Sequence, residues 1–355
     1  MTRYQRQVIL PEVGEFGQAK LREARVLCVG IGGLGSPCAL YLAAAGVGKI
    51  GIIDPDCVNI SNLQRQILFS TSQQGQLKTT CAAKCLKDIN PETALDIYST
   101  TLTSENALTV IGDYDIVVDA SDNFPTRFLI NNASVKLGKP VIYGAVQGFE
   151  GQSSVFWAKH GPCYRCLFPR SLRSSIQNCT ESGIIGALAG LIGTTQALET
   201  IKLIIGEKNP DIMPLIGQLW VIDTRSMSTS LYKIPKNERC PVCSLPPEEI
   251  SLSQDEAISC SPCVEIDPEE TSRLKDIIYI DVRELYEWQE GYIPKSYHIP
   301  LSELAHKELD PGNHYVIYCQ NGGRSKKAVE ILSEKGFPRV MSLRGGFKAW
   351  RARQG

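Results

Sequence analysis

Paired cysteines are the residues of this 355-residue sequence whose spacing most directly suggests chemistry. Three pairs have the spacing CxxC: Cys163 with Cys166, Cys240 with Cys243, and Cys260 with Cys263. A CxxC pair presents two thiolates from one turn, and two such pairs brought together by the fold make a tetrahedral zinc site. We expect structural zinc at the first two pairs, because they bracket one domain without the context of a redox pair. The third pair has no second pair left, so a disulfide or incidental thiols stay open there.

Two single cysteines in polar surroundings are candidate nucleophiles. Cys179 lies in a polar loop ahead of an apolar segment that begins at Gly183. A thiol near a helix start has a lowered pKa and can attack an activated acyl group, although an incidental exposed cysteine has the same signature. Cys319 ends a predicted strand, and a glycine-containing loop leads from it through Arg324 into a predicted helix. The N–H groups of such a loop would stabilise a thiolate or persulfide anion.

A glycine pattern near the N-terminus predicts a nucleotide site. Gly30, Gly32, Gly33 and Gly35 stand between a predicted strand and a predicted helix. Such a loop lets the backbone approach a phosphate group, which the loop N–H groups and the helix dipole then hold. Asp54 ends the next strand, a position where a carboxylate accepts hydrogen bonds from the ribose hydroxyls of a nucleotide. On these residues alone an NAD-dependent dehydrogenase is the default interpretation, because the glycine pattern is weakly specific.

The polar segment after this strand changes the interpretation. It contains the run Ser61, Asn62, Leu63, Gln64, Arg65 and Gln66, and Lys78 opens the following helix. Nucleotidyl transfer needs such residues, because charge builds up on the phosphoryl oxygens and on departing pyrophosphate, whereas a dehydrogenase does not. Asp122, followed by Asn123 at the end of a later strand, is placed to hold Mg²⁺ on a triphosphate. Any one of these charges alone would indicate a surface ion pair, but their order together favours ATP chemistry.

Strands that alternate with helices must position these residues. The predicted strands lie at 25–30, 49–53, 115–120, 141–144 and 154–157, and the predicted helices at 36–45, 76–89 and 126–137. This order predicts an α/β fold with a mainly parallel, Rossmann-like sheet. A second α/β pattern has strands at 277–280, 315–318 and 340–343 and a helix at 325–335. We therefore predict a nucleotide domain over 1–245, a linker over 246–273 and a small α/β domain over 274–355.

Composition limits the function classes. Hydrophobic residues make up 43% and charged residues 21%, which is typical of a globular chain. With 37 basic and 38 acidic side chains the net charge is −1, so no global field attracts nucleic acid or anionic membrane. The N-terminus lacks the long apolar core of a secretory signal, and the apolar segment 183–198 is too short and polar to span a bilayer. We expect a cytoplasmic protein without nucleic-acid or membrane partners.

Residues 1–245 resemble a known family of adenylyltransferases that activate ubiquitin-like sulfur carriers, the molybdopterin-synthase and thiamine-biosynthesis activating enzymes. The resemblance rests on Arg3-Tyr4-x-Arg6-Gln7, the glycine loop, residues 61–66 and Asp122-Asn123. It implies that Arg65, Lys78 and Asn62 contact ATP, with Asp54 on the ribose and Asp122 on magnesium. It further implies a homodimer in which Arg6 reaches the partner subunit's active site. Cys179 matches by position the family cysteine proposed to form a thioester or persulfide link, and the four zinc cysteines occur in many members.

Residues 275–355 resemble a rhodanese domain. The resemblance rests on Asp281-Val-Arg283, Gly291-Tyr-Ile-Pro294, the Cys319 loop and the closing Gly345-Gly-Phe-x-Ala-Trp350. Arg324 closes a loop with four residues after the cysteine, one fewer than a related phosphatase loop, which favours sulfur transfer over phosphatase chemistry. Tyr292 stands where rhodaneses usually have His, and we expect little consequence because this position lies away from the loop. A degenerate, inactive rhodanese domain is the alternative that the intact Cys319 and Arg324 disfavour.

Together these resemblances imply one sequence of steps. The enzyme would adenylylate the C-terminal Gly-Gly carboxylate of a sulfur-carrier protein with ATP, and a Cys319 persulfide would then give a thiocarboxylate. The persulfide would come from a donor such as a cysteine desulfurase, in a molybdopterin, thiamine or tRNA thiolation pathway that the sequence does not single out. An NAD-dependent oxidoreductase and a non-catalytic zinc-binding interaction protein are the alternatives, and both leave Arg65, Lys78 or Cys319 without a purpose.

Overall fold

The computed structural model describes residues 3–169, 183–206, 209, 211–252, 265–271, 274, 277–304 and 307–353. These residues form two compact units. Described residues up to 252 belong to the first unit, and those from 265 onward belong to the second. Each unit has its own sheet and its own hydrophobic core.

The first unit is built on an eight-stranded sheet with the strand order β3-β2-β1-β4-β5-β6-β7-β8. Strands β1 to β8 span Arg25–Val29, Lys49–Ile53, Ala94–Tyr98, Ile116–Asp119, Val141–Gln147, Glu150–Phe156, Gln218–Asp223 and Ser228–Lys233. The pairs from β3 to β5 are parallel, and those from β5 to β8 are antiparallel. The prediction of a mainly parallel, Rossmann-like α/β sheet is confirmed, with an antiparallel extension that the sequence did not indicate.

Helices cover both faces of this sheet. Helices α1 to α8 span Gln5–Val8, Gly14–Glu23, Gly35–Ala45, Lys78–Ile89, Ala107–Gly112, Phe124–Leu137, Tyr164–Leu167 and Gly186–Ile205. Local sequence sets several of their ends. The Asn123 side chain accepts a hydrogen bond from the N–H of Thr126 at the start of α6, and Gly138 ends that helix with a φ of 68°.

The two faces of the central strand explain why its sequence is continuously apolar. In β1, Val26 and Cys28 belong to the core cluster on one side of the sheet, whereas Leu27 and Val29 belong to the cluster on the other side. A strand covered by helices on both faces has no polar face, so its side chains do not alternate between apolar and polar. This burial holds the loop that follows β1 in a fixed place.

Helix α8 begins within the apolar segment 183–198 and continues beyond it to Ile205. It has 20 residues and is, by length and composition alone, apolar enough to cross a membrane, a property that core helices share. Leu188, Ala189, Ile192 and Ala197 are buried, and the helix packs against α3 and strands β5 and β6. Packing within the first unit therefore accounts for the buried part of its apolar surface, while Leu191 and Leu198 are exposed.

The second unit is a five-stranded parallel sheet with the order β11-β10-β12-β13-β9. Strands β9 to β13 span Glu265–Ile266, Ile277–Asp281, Tyr297–His298, His314–Tyr318 and Val340–Leu343. Helices α9 to α13 span Pro268–Thr271, Leu285–Gln289, Leu301–Leu304, Gly323–Glu334 and Gly346–Arg351. Side chains of β12 are buried on both faces, which places the residue after it, Cys319, at the centre of the sheet edge.

Gly35, the first residue of α3, provides a test of the loop packing. An added Cβ would lie 2.1 Å from the carbonyl oxygen of Gly30, so the loop must shift to accommodate Gly35→Ala. We expect this substitution to lower the free energy of unfolding by about 1–3 kcal/mol, measured by urea denaturation followed by circular dichroism.

The matched control is Gly190→Ala in the interior of α8, where an added Cβ meets nothing within 4 Å. There alanine should raise the free energy of unfolding by about 0.5–1 kcal/mol because of its higher helix propensity. Equal effects of the two substitutions would contradict the close packing at Gly35.

Candidate active sites and metal centre

A cavity of about 270 Å³ lies in the first unit, where β1, β2 and β4 end. Eight of the residues that the sequence analysis selected line it, namely Gly30, Gly32, Gly33, Asp54, Arg65, Lys78, Asp122 and Asn123. The carboxyl ends of parallel strands meet at one edge of a sheet, and ligands of open α/β sheets bind there. The tertiary structure therefore gathers residues that are up to 93 positions apart in the chain (123 − 30) into one cavity.

The glycine loop lies close to its neighbours. Gly30 has a φ of 89°, and a Cβ there would lie 2.8 Å from the carbonyl oxygen of Ala120 at the end of β4. A Cβ on Gly33 would come within 3.3 Å of the Arg65 side chain. Glycine at these positions lets the loop lie against the end of β4 and lets Arg65 lie over the loop.

A buried lysine and two carboxylates form one wall of the cavity. Lys78 Nζ lies 2.8 Å from Asp56 Oδ2 and 4.0 Å from Asp54 Oδ1. Asp54 accepts hydrogen bonds from the backbone N–H groups of Ile31 and Asp56, each at 2.9 Å. Burial raises the pKa of the Asp54 carboxyl above its usual value, and these N–H groups and Lys78 oppose that shift. The ammonium is thus held beside the cavity before any ligand binds.

Asp122 and Asn123 also line the cavity and differ in their contacts. The Asp122 side chain is exposed, and its Oδ1 accepts a 3.4 Å hydrogen bond from Asn123 Nδ2. Asn123 also caps helix α6 through its Oδ1, which gives it a local structural task. An exposed carboxylate of this kind can bind a cation without first breaking a buried ion pair or hydrogen bond.

Some selected residues do not line the cavity. Gly35 begins α3, and Ser61, Asn62, Leu63 and Gln64 form the turn around the short helix Ile60–Asn62 that precedes Arg65. The Asn62 carbonyl oxygen accepts hydrogen bonds from the backbone N–H groups of Arg65 and Gln66. The turn therefore sets the backbone from which those two side chains project. Arg6 is exposed on α1 and is also not among the lining residues.

Other residues that line the cavity had no predicted role, chiefly Asp56, Gln66 and Arg127. Asp56 lies two residues after Asp54, and Gln66 directly follows Arg65. Their proximity to these predicted site residues was the available sequence signal. Arg127 gave none, because an arginine in the first turn of a helix usually faces solvent. Here it is buried and donates hydrogen bonds to the carbonyl oxygens of Ser121 and Gly144.

Four cysteines from distant parts of the first unit come together. Cys163 and Cys166 flank the start of α7, and Cys240 and Cys243 follow β8. Their Sγ atoms all lie within 4.8 Å of one another, with Cys163 and Cys240 3.5 Å apart and Cys166 and Cys243 also 3.5 Å apart. Four thiolates at such separations match a tetrahedral metal site. The cluster could therefore hold a metal ion.

In the second unit Cys319 lies at the end of β12 and is 2% exposed. The backbone N–H of Gly322 donates a 3.2 Å hydrogen bond to its Sγ, and Ser325 Oγ lies 3.8 Å from the same sulfur. Helix α12 begins at Gly323, so the sulfur lies beside its first turn. A backbone N–H and a helix N-terminus are therefore both next to this sulfur, an arrangement that suits an anion.

Arg324 forms a two-point ion pair with Glu287 of α10. Both bonds are 2.6 Å long, and the Glu287 side chain is 15% exposed. The hydrogen bonds from Arg324 hold the pKa of Glu287 below its usual value, and Glu287 raises the pKa of Arg324. The guanidinium is therefore fixed beside the Cys319 loop and stays charged.

The same loop has a second support that links it to β10. Arg283 is buried, pairs with Asp281 at 2.7 Å and donates a 2.9 Å hydrogen bond to the Gln320 side chain. Tyr292, expected to lie away from the loop, stacks on Trp288 with ring centroids 4.4 Å apart. Trp288 follows Glu287 in α10. The stacked Tyr292 ring therefore contacts the helix that carries the ion pair.

Three cysteines from the sequence analysis lie outside the described residues. These are Cys179, Cys260 and Cys263. Their predicted roles stay predictions.

Comparison with known proteins identifies the family to which each unit is similar. The model of the ThiF family matches residues 4–242, and the rhodanese-like domain model matches residues 268–353. A Zea mays protein named adenylyltransferase and sulfurtransferase MOCS3-1 is 39% identical over 381 residues, which cover 98% of this chain and 81% of that protein. A Thermus thermophilus protein named sulfur carrier protein adenylyltransferase is 44% identical over 263 residues, or 72% of this chain and 96% of that protein.

Solved structures are similar in fold. The crystal structure of E. coli MccB with ATP has a TM-score of 0.60 and 22% sequence identity, and covers 69% of this chain and 75% of that chain. MccB alone has a TM-score of 0.59 at 22% identity, covering 68% of this chain and 72% of that chain. The family resemblances inferred from the sequence are thus confirmed: the chain belongs to the ThiF family and carries a C-terminal rhodanese-like domain.

Proposed function

We propose that this protein adenylylates the C-terminal Gly-Gly carboxylate of a ubiquitin-like sulfur-carrier protein and then converts it to a thiocarboxylate. The observation that carries this proposal is the pairing of two sites on one chain. One is the cavity beside the glycine loop, which is lined by Lys78 and Arg65. The other is Cys319, whose sulfur accepts a hydrogen bond from a backbone N–H of its own loop. The names of the Zea mays and Thermus thermophilus relatives support the same two activities.

In the first step, ATP would occupy the cavity of the first unit. Asp54 would accept the ribose hydroxyls, while Arg65 and Lys78 would stabilise charge on the phosphoryl oxygens. Magnesium, when bound at Asp122, would neutralise triphosphate charge. A carboxylate oxygen of the carrier attacks the α-phosphorus, and the bond to pyrophosphate breaks. No general base is needed, because a carboxylate is already ionised, so the residues supply orientation and charge stabilisation.

In the second step, the terminal sulfur of a Cys319 persulfide attacks the carbonyl carbon of the acyl-adenylate, and AMP leaves. This forms an acyl disulfide between the carrier and Cys319. A thiol then attacks the Cys319 sulfur, the S–S bond breaks, and the carrier departs as a thiocarboxylate. The attacking thiol is left in a disulfide with Cys319, which an external thiol reductant must reduce before the next turnover. Cys179 is our proposed source of the attacking thiol or of an acyl-linked intermediate. A cysteine desulfurase is the proposed donor of the persulfide.

Assembly and pathway are further parts of the proposal. Exposed Arg6 on α1 is available to a neighbouring subunit, which supports a homodimer with shared active sites. The ion bound by the four cysteines would be structural zinc, because four thiolates leave no open position for substrate. The product would serve molybdopterin, thiamine or tRNA thiolation chemistry.

Intact-mass analysis tests the overall reaction. Candidate Gly-Gly-ended carriers are incubated with the protein, Mg-ATP, thiosulfate and a reductant. We expect one carrier to gain the mass difference of sulfur for oxygen. Loss of the signal without ATP is the control, and no change in any carrier together with no ATP–pyrophosphate exchange would refute the proposal.

Replacing Cys319 separates the two steps. Cys319→Ala should abolish thiocarboxylate formation and leave carrier-dependent ATP–pyrophosphate exchange within about twofold of the wild type, because the cavity of the first unit is intact. Exposed Cys57→Ser is the matched control and should retain both activities. Loss of exchange in Cys319→Ala would contradict this division of labour.

Metal analysis tests the four-cysteine cluster. Purified protein should contain about one zinc ion per chain, and Cys240→Ser should lose it and more than about 4 kcal/mol of stability. Mass spectrometry of the metal and thermal unfolding provide the two measurements. Cys57→Ser should keep its zinc, and a Cys240→Ser protein with full zinc content would rule out this site.

The ion pair between Glu287 and Arg324 gives a pH-dependent test. Because the pKa of Glu287 is lowered on folding, the pair stabilises the loop above the unfolded value of about 4.3 and stops doing so as the pH falls through the lower folded pKa. At pH 7, Glu287→Gln should speed hydrogen exchange in the 316–326 peptide about fivefold, as expected for a pair worth about 1 kcal/mol.

The matched control is Glu290→Gln, which changes an exposed glutamate next to the same helix. It should leave exchange in that peptide unchanged. The difference between Glu287→Gln and the wild type should shrink below pH 4. An equal difference at pH 7 and pH 3 would argue against the ion pair as its cause.

A further inference from the structure

We propose that Gln66 is a further catalytic residue of the adenylation site, and that its carboxamide contacts both the transferred phosphoryl group and the carrier's terminal glycine. This inference rests on the adenylation proposed above. Gln66 belongs to the run 61–66, but neither the residues nor the family resemblance assigned this side chain a role of its own.

The carboxamide of Gln66 lies against the middle of the glycine loop. A Cβ on Gly32 would come within 3.3 Å of Gln66 Nε2, so the two groups are in close contact. Gln66 is 5% exposed and lines the cavity next to Arg65. Since the loop is the element that approaches a phosphate, a donor lying on it is close to the phosphoryl oxygens of bound ATP.

The other end of the same side chain has no partner among the residues that the structure describes. Gln66 Oε1 is buried and accepts no hydrogen bond from any of them. Leaving a buried acceptor unsatisfied costs the desolvation free energy of that group, so such a group in a native protein requires an explanation. Because Gln66 lines a cavity that a ligand can enter, we assign the missing donor to the substrate.

The chemistry of the reaction supplies such a donor. The carrier's last residue attacks through its carboxylate, and its own backbone N–H lies two bonds from the carboxylate carbon. A carboxamide has an acceptor and two donors on adjacent atoms. Gln66 can therefore accept the glycine N–H through Oε1 while Nε2 donates to a phosphoryl oxygen, which aligns the two reactants.

Gln196 shows what a structural glutamine in this unit does instead. Its Oε1 is also buried without a partner, but its Nε2 donates to the carbonyl oxygens of Asp119 and Ile142 and ties β4 to β5. Gln196 does not line the cavity. Only for Gln66, of these two residues, does the unsatisfied acceptor belong to a side chain that a ligand can reach.

The test uses Gln66→Met, which keeps the shape of the side chain and removes its polar atoms. With the full-length protein and a panel of Gly-Gly-ended carriers, the kcat of ATP–pyrophosphate exchange should fall about 100-fold, and the KM for ATP should stay within about threefold. Without ligand, the thermal unfolding temperature should be unchanged or higher, because methionine removes an unsatisfied acceptor. The control Gln74→Met, at an exposed position of the same segment, should keep wild-type kinetics.

A second measurement isolates the glycine contact. A semisynthetic carrier that ends in glycolate instead of its last glycine lacks the N–H but keeps the carboxylate. We expect this carrier to slow the wild-type protein and to slow Gln66→Met little further, because both changes remove the same hydrogen bond. Additive losses would overturn the contact with glycine.

The remaining outcomes are also decisive. Gln66→Met with near-normal exchange would overturn the catalytic role and leave the proposed function standing. A lowered unfolding temperature with a matching loss of activity would assign Gln66 a structural role instead. A wild-type protein that exchanges pyrophosphate with none of the carriers would refute the proposed function, and this inference with it.

Discussion

Backbone clearance at the glycine loop is the constraint on which the first site depends. The loop lies so close to the end of β4 and to its own helix that a Cβ at Gly30 or Gly35 would lie within 2.8 Å of a carbonyl oxygen. This contact brings the ends of β1 and β4 to one cavity. It also leaves the other side of the loop open to Arg65 and Gln66, which cover it from the turn beyond β2.

Close backbone packing also positions the site of the second unit. A Cβ on Gly346 would lie 2.2 Å from the carbonyl oxygen of Cys319, so the loop and the start of α13 are in contact. A backbone N–H, not a side chain, donates to the sulfur. In both units a nearby cation is fixed by a carboxylate, Lys78 by Asp56 and Arg324 by Glu287. Such pairs place positive charge before a substrate binds, which reduces the reorganisation needed during reaction.

Local sequence predicted the elements whose signals are strong. Strands β2 and β13 have the predicted bounds, and helix α3 begins one residue earlier than predicted. Strand β8 was missed because all of its residues are exposed, so neither alternation nor a continuous apolar run marks it. Strand β3 was missed for a similar reason, since none of its residues is fully buried. Edge strands carry weak patterns because less of their surface lies in the core.

The sequence by itself determined the chemistry that is present and the order in which it occurs. Glycine loops, CxxC pairs and the Cys319 loop are short-range patterns, and their residue types are required by local backbone geometry. Only the tertiary structure decided which side chains share a cavity. It brought the two CxxC pairs within 4.8 Å, left Ser61 and Gln64 out of the cavity lining, and included Gln66 and Arg127 in it. Such proximity depends on how strands and helices pack across long sequence separations, and no local pattern encodes that.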